Sequence, residues 1–458
     1  MKKKLTVARA VEAAGILFEL NTKESGVLAM AQKAGLPCAT AEEKSRLMLE
    51  WRAYVHAAVL YGLMVQAPNV VVVEYLRVTQ DMLRRLGYSP EEAGDFVDGA
   101  FRPGSLAFEN GVITDIGPAD APGDLDAGGQ YLVHGFVDVH THGARNHDFS
   151  DGNPEGLPVM ARHYVQHGVT SFLATTMTLP EEELTRAMHT IRDFVRPQDG
   201  AKCAGIHLEG PFLSYAKRGA QAADNLHKPD VAMFRRLNEA SGGQVRLITV
   251  APEEDGCLPF IEEVSKECTV SLGHTTAGYD LAMEAFRAGA NHATHLYNGM
   301  PPLNHREPGV IGAALDAGAA VELICDGMHI HPSVIRATHR MFGEQLVLIS
   351  DSMRCADMPD GDYELGGQPV ELHSGRATLK GTDTLAGSST NMLTEVKNVV
   401  SYGLSLEDAI TAATLAPARS VGLEGEIGSL AVGKRADFLL LSKDLELKAV
   451  YVEGEQAC

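Results

Sequence analysis

Between residues 132 and 350, short apolar runs recur eight times with stretches of helical periodicity between them, and this alternation constrains the chain more than any other feature. The runs are Leu132–His140, Thr170–Thr176, Ala204–Leu208, Val245–Val250, Thr269–Leu272, His292–Leu296, Val321–Cys325 and Leu346–Ser350. Amphipathic stretches such as Leu157–His167 and Ser333–Phe342 separate them. Eight β/α repeats in one chain predict an α/β fold in which parallel strands close into a (β/α)8 TIM barrel. An open doubly wound sheet is the rival. It calls for a Gly-x-Gly-x-x-Gly turn after the first strand, where His140-Thr-His142-Gly143 stands instead.

Both flanks read as β structure. Ser105 to Gly117 is two alternating runs hinged on Asn110-Gly111, a strong hairpin signal, and Ala436–Leu441 and Ala449–Val452 return to strands at the other end. Residues 99–131 and 425–458 are therefore predicted to pair into a small β-sandwich beside a barrel at 132–424. Tyr363–Leu372 and Ala377–Leu379 look like a hairpin excursion, followed by a mostly helical stretch, Met392–Leu415. Residues 1–98 differ in texture. An apolar stripe through Leu47, Trp51, Tyr54, Val55, Ala58, Val59 and Gly62, with Thr40 and Glu43 as a capping box ahead of it, predicts an extra α-helical segment of unassigned role.

Composition narrows the function classes. A net charge of −21 opposes binding to nucleic acid or anionic membranes. The longest apolar run, Ala57–Val65, is well short of the ~20 residues of a membrane helix, and charged residues interrupt any export signal after Lys2-Lys3-Lys4. Seven scattered cysteines without a Cys-x-x-Cys pair suit a reducing cytoplasm.

In a barrel of this type chemistry sits where the strands end, so the residues closing each strand are the candidates. Strand one closes in His140 and His142, strand three in His207 and Glu209, strand five in His274, strand six in His295 and strand eight in Asp351. Alternation puts His140 and His142 on one side of their strand. A convergent set of imidazoles and carboxylates suits zinc, iron(II) or another divalent ion with a position left open for water. His207 is expected beside this set in a supporting or packing role.

These motifs resemble a known family. Val137-Asp-Val-His-Thr-His-Gly143, His207-Leu-Glu-Gly-Pro-Phe212, Gly273-His-Thr275, Ala293-Thr-His-Leu-Tyr-Asn-Gly-Met300, Arg306-Glu-Pro-Gly309, Asp326-Gly-Met-His329, Ser350-Asp351 and Leu385-Ala-Gly-Ser388 are similar to those of the amidohydrolase superfamily and, within it, the N-acetylglucosamine-6-phosphate deacetylases. The resemblance implies Glu209, His274 and His295 as the main metal site, and Asp351 as catalytic acid/base. The site would hold one ion, or two if His140 and His142 bind a second ion bridged by Glu209, since Thr249-Val-Ala-Pro-Glu253 offers no lysine to bridge them. It also implies a homodimer in which Arg306 reaches the substrate phosphate across the interface. Asn298, Gly299 and His329 would complete that cradle, with Ala220 and Gln221 in a sugar-binding loop and Leu385, Ala386 and Gly387 in a closing segment. Read from the residues alone, Arg306 also fits a surface ion pair and His329 a capped turn.

The expected substrate is thus N-acetylglucosamine 6-phosphate. The galactosamine epimer, an unphosphorylated amide and a non-catalytic sugar-phosphate sensor remain as rivals. The sensor is disfavoured because it has little need of Asp351 beside a ligand cluster.

Overall fold

The computed structural model describes residue 101, residues 103–117 and residues 123–458, with Lys44 alone ahead of them. The helical segment expected over 1–98, with its capping box and Cys38, lies outside the described residues.

The flanking hairpin forms as the turn chemistry demands. β1 (Ser105–Glu109) and β2 (Val112–Gly117) are antiparallel, and the turn uses Asn110 at φ 51° and Gly111 at φ 79°. Both central residues are left-handed, which is the reason the position favours Asn-Gly. β3 (Tyr131–His134) then pairs with a late strand, and β4 (Phe136–Thr141) opens the barrel. The single run expected over Leu132–His140 is therefore two strands broken at Gly135. The reason is steric: a Cβ on Gly135 would overlap the Thr170 side chain, while its own N–H turns to Asp437 O at 3.0 Å and the next N–H to Gly168 O at 2.9 Å.

After a two-stranded ribbon, β5 (Gly143–Ala144) and β6 (His147–Asp148), the barrel continues through β7 (Val169–Thr176), β8 (Lys202–Glu209), β9 (Val245–Val250), β10 (Thr269–Leu272), β11 (His292–Ala293), β12 (Ala320–Ile324) and β13 (Leu346–Ile349). All eight barrel strands pair in parallel in sequence order from β4 to β13, and the Asp351 N–H donates to His140 O at 2.9 Å across the closing seam. Helices pack outside, so strands such as β7 and β13 are buried on both faces and read as continuous apolar runs. β11 keeps only two of the five residues expected, because the chain bends at His295.

Helix ends follow local chemistry. Asp230 Oδ1 accepts from the N–H groups of Ala232 and Met233 at 2.8 and 3.2 Å and so starts the helix Val231–Ala240. Such a cap is worth about 1 kcal/mol.

The excursion is a three-stranded antiparallel sheet, β14 (Gly361–Leu365), β15 (Gln368–His373) and β16 (Arg376–Leu379). Its inner face, Leu365, Val370, Leu372 and Ala377, packs on Met177, Met353 and Ala386 at the top of the barrel. The chain ends in β17 (Phe438–Leu441), β18 (Leu447–Val452) and β19 (Glu455–Gln456), which with β3 form a four-stranded sheet. Ile113 of the hairpin is buried against Ala436 and Phe438, and Phe108 lies 5.5 Å from the Phe438 ring, so both flanks build one β unit. None of the described helices is long and apolar enough to cross a membrane.

Candidate active site

The carboxyl ends of the barrel strands surround a cavity of about 340 Å3, within the roughly 300–1,000 Å3 usual for small-molecule sites. His142, Glu209, His274, His295 and Asp351 line its floor, and His140 lies fully buried beneath them. Three of these residues, His274 at φ 46°, His295 at φ 29° and Asp351 at φ 46°, are left-handed where their strands end. For residues with a Cβ that conformation is strained by about 1–2 kcal/mol, and it is tolerated where surrounding bonds hold it. Here Ser214 N–H bonds His274 O at 3.0 Å, Asn298 N–H bonds His295 O at 2.9 Å and Ser388 N–H bonds Asp351 O at 2.8 Å. Gly299, itself at φ 59°, lies against His274, whose Nδ1 would be 3.1 Å from any added Cβ.

Two ligand groups share the floor. In the first, Glu209 Oε1 lies 3.0 Å from both His274 Nε2 and His295 Nε2, and these two nitrogens are 3.0 Å apart. In the second, Asp351 Oδ1 lies 3.5 Å from His140 Nε2 and 3.4 Å from His142 Nε2, while Glu209 Oε2 reaches His142 at 3.3 Å. His274 Nδ1 donates to Lys217 O at 2.8 Å, which leaves its Nε2 lone pair facing the cluster. Converging lone pairs repel unless a cation lies among them, and donors around a tetrahedral first-row ion sit about 3.4 Å apart. His140 Nε2, buried with no hydrogen-bond partner while it faces the cluster, agrees with that reading. The residues present fit one divalent ion at Glu209, His274 and His295, and a second at His140, His142 and Asp351 with Glu209 shared.

The electrostatics are those of a site built for positive charge. Burial alone would push the His140 imidazolium down, but the carboxylates of Glu322, Asp351 and Glu209 lift it to about 9. Burial would raise Glu209, yet His140 and His274 hold its carboxyl well below the usual range. His207 is pushed down by burial and by His140, so it is neutral and bonds Thr249 Oγ1 at 2.8 Å. It stands beside the floor rather than in it.

Two supporting carboxylates escaped the sequence reading. Glu322, fully buried inside β12, accepts the Nδ1 proton of His140 at 2.9 Å and the His295 N–H at 3.0 Å. That fixes which nitrogen of His140 faces the floor. Glu395 accepts the Cys325 N–H while Asn398 Nδ2 bonds Cys325 O at 2.9 Å, clamping the end of β12 just before Asp326. Both carboxylates sit among apolar residues, where position alone carries no signal.

The rim is made by loops. Ala220, Gln221, Asn298, Gly299, His329, Leu385 and Gly387 line the cavity. Gln221 spends its amide on Glu209 Oε2 at 2.6 Å and on the Thr178 N–H at 2.8 Å, so it positions the shared carboxylate as well. His329 donates Nδ1–H to Asp326 at 2.9 Å and is held by an Asx turn, the capped-turn role considered for it, while it also lines the cavity. Ala386 is buried in the apolar cluster under the excursion and does not line the cavity. Arg306 is exposed and does not line it either.

A parallel barrel with an imidazole–carboxylate cluster at its strand ends is the architecture of a metal-dependent hydrolase. The chain belongs to the amidohydrolase family, whose sequence profile matches residues 131–457. Among curated relatives it is 38% identical over 334 residues to the N-acetylglucosamine-6-phosphate deacetylase of Bacillus subtilis, covering 71% of this chain and 84% of that one. It is 36% identical over 357 residues to the N-acetylgalactosamine-6-phosphate deacetylase of Escherichia coli O157:H7, covering 77% and 94%. Among solved structures, a mutant N-acetyl-D-glucosamine-6-phosphate deacetylase of Mycobacterium smegmatis in complex with N-acetyl-D-glucosamine-6-phosphate superposes with a TM-score of 0.73 at 34% identity, covering 78% of this chain and 95% of that one. The family resemblance carried by the motifs is thus the one that residues 131–457 show.

Proposed function

We propose that the chain hydrolyses the acetamide of N-acetylglucosamine 6-phosphate to glucosamine 6-phosphate and acetate. The observation that carries this reading is Asp351, whose Oδ1 faces both histidines of one ligand group while its carboxylate lines the cavity that the other group shares. Glu209, His274 and His295 would hold a divalent ion that would supply Lewis acidity and lower the pKa of water, and their mixed nitrogen and oxygen donor set would favour zinc or iron(II). The protein's own groups do the rest. Asp351 accepts the proton of the attacking water and returns it to the amide nitrogen, so that the amine leaves neutral. His329, Asn298 and the Gly299 backbone hold the phosphate end, and Gln221 keeps Glu209 oriented. Burial would raise Asp351, but His140 and His142 outweigh it and keep the carboxyl below its ordinary value, ready as a base.

A homodimer is part of this reading, because exposed Arg306 contributes to a phosphate site only across an interface. A cytoplasmic setting is supported by the six described cysteines, all without disulfides. The galactosamine epimer is the second reading, favoured by the extent of the match to its deacetylase.

The test is acetate release by metal-loaded protein from both 6-phosphates, beside Asp351→Asn. Turnover on at least one sugar with a loss of about 100-fold or more in kcat for the variant is expected, as general acid–base groups contribute that much. No turnover of either sugar with the metal sites filled refutes the proposal.

A further inference from the structure

The cavity poses a charge problem for an anionic ligand. Glu209 and Asp351 stand at its floor and Asp383 at its rim. Among the described residues lining it, Arg376 is the one with a permanent positive charge, whereas Arg306 is exposed and outside the lining.

Arg376 is well placed for a binding role. It opens β16, which is bonded to the closing segment through Leu379 N–H to Thr384 O at 2.9 Å and Ala386 N–H to Ala377 O at 3.2 Å. Its Nη2 donates to Asp383 O at 3.3 Å, leaving most of its five N–H donors for a ligand. The preceding turn is tied to the closing segment by Ser389 Oγ, which donates to Gly375 O at 2.7 Å, and it approaches the His329 loop, where a Cβ on Gly375 would lie 3.3 Å from Met328 Cε. The excursion therefore sets the backbone next to Arg376 against the loop that carries His329, and both residues line the cavity.

We propose that Arg376 is a same-chain contact for the phosphate of the substrate, and that it sets the preference for a phosphorylated over an unphosphorylated N-acetylhexosamine. This rests on the deacetylase reading above. A planar fork pairs with two phosphate oxygens at once, which neither a lysine nor the single His329 donor reproduces. The substrate anion is then held from within one chain, whatever Arg306 of a second copy adds.

The experiment compares Arg376→Ala and Arg376→Lys with the wild type on N-acetylglucosamine 6-phosphate and on N-acetylglucosamine, with inorganic phosphate titrated as competitor and by calorimetry. Loss of a charged hydrogen-bond pair predicts a KM for the phosphorylated sugar raised about 10–100-fold in Arg376→Ala, with the loss carried by KM rather than kcat. Phosphate should weaken in parallel, and Arg376→Lys should fall between. An unchanged KM and unchanged phosphate affinity in Arg376→Ala overturn the proposal. An equal loss on both sugars also overturns it, because that is the mark of a structural role. If the wild type hydrolyses neither sugar, the deacetylase reading falls by itself. The phosphate titration then still decides whether Arg376 binds the anion.

Discussion

The floor and the rim of the cavity are built on opposite principles. Floor residues close barrel strands, are buried, and are tied by hydrogen bonds to neighbouring strands and to the loops that follow them. Rim residues come from loops and from the three-stranded excursion, and several, such as Arg376 and Asp383, are exposed. Rigid placement serves bond-breaking chemistry, which depends on atoms held within a fraction of an ångström. A rim built outside the barrel strands can set which sugar enters without disturbing that geometry. Mutations in the floor should therefore strike kcat and metal content, and those in the rim KM and selectivity.

The sharpest way to break this division is Glu209→Gln. Glu209 joins both ligand groups, so its loss is expected to empty the floor and lower kcat/KM by about 1,000-fold or more, since metal and water activation are lost together. Elemental analysis with steady-state kinetics checks it, and retained metal with near-normal activity would count against the shared role.

The next largest effect lies outside both regions and serves as a control. His134, at the seam between the small sheet and the barrel, is buried with Nδ1–H on Gly135 O at 2.7 Å and Nε2 accepting from the Gly428 N–H at 3.1 Å. Burial pushes its pKa from 6.5 to about 4, although Asp437 works the other way. The unfolded chain thus takes up a proton below its ordinary value that the folded chain refuses until about 4. The stabilisation is fully present above about 6.5, and roughly 3 kcal/mol is lost as the pH falls from there to about 4. Urea unfolding from pH 7 to 4.5 should show this slope in the wild type and a shallower one in His134→Gln, with the ligand cluster untouched. Parallel slopes would contradict the assignment.

Glu322→Gln should separate the two ion sites. With the carboxylate behind His140 gone, affinity at His140 and His142 is expected to fall about 10–100-fold, while Glu209, His274 and His295 keep their ion. Chelator competition followed by metal counting reads this out, and a uniform loss from both sites would argue against a selective role. The smallest effect is expected from Gly299→Ala at the joint between floor and rim. A left-handed residue with a Cβ costs about 1–2 kcal/mol, visible as a lower thermal midpoint. An unchanged midpoint would mean the turn relaxes freely.

The same division explains what the sequence disclosed. Floor residues sit in motifs at strand ends, and strand alternation alone places His140 beside His142, so the barrel and its ligand cluster were legible without coordinates. Glu322 was not, because a carboxylate inside an apolar strand has no periodic signature and acquires its role only from His140 on another strand. Arg376 was hidden for a related reason. The excursion was visible as strands, but the face that meets the cavity depends on how its apolar side packs on Met177 and Met353. The break at Gly135 depends equally on contact with Thr170, a residue far along the chain. Ala386 shows the converse limit: it lies within a matching motif, yet the pairing of β16 with the closing segment turns it into the core.

The most direct measurement is the ratio of kcat/KM for N-acetylglucosamine 6-phosphate over N-acetylglucosamine in the metal-loaded wild type. Two or more charged contacts at the rim predict a preference of about 100-fold or more, at about 1.5–3 kcal/mol each. Equal rates on the two sugars would contradict a cavity that anchors its substrate by phosphate while the floor cleaves the amide.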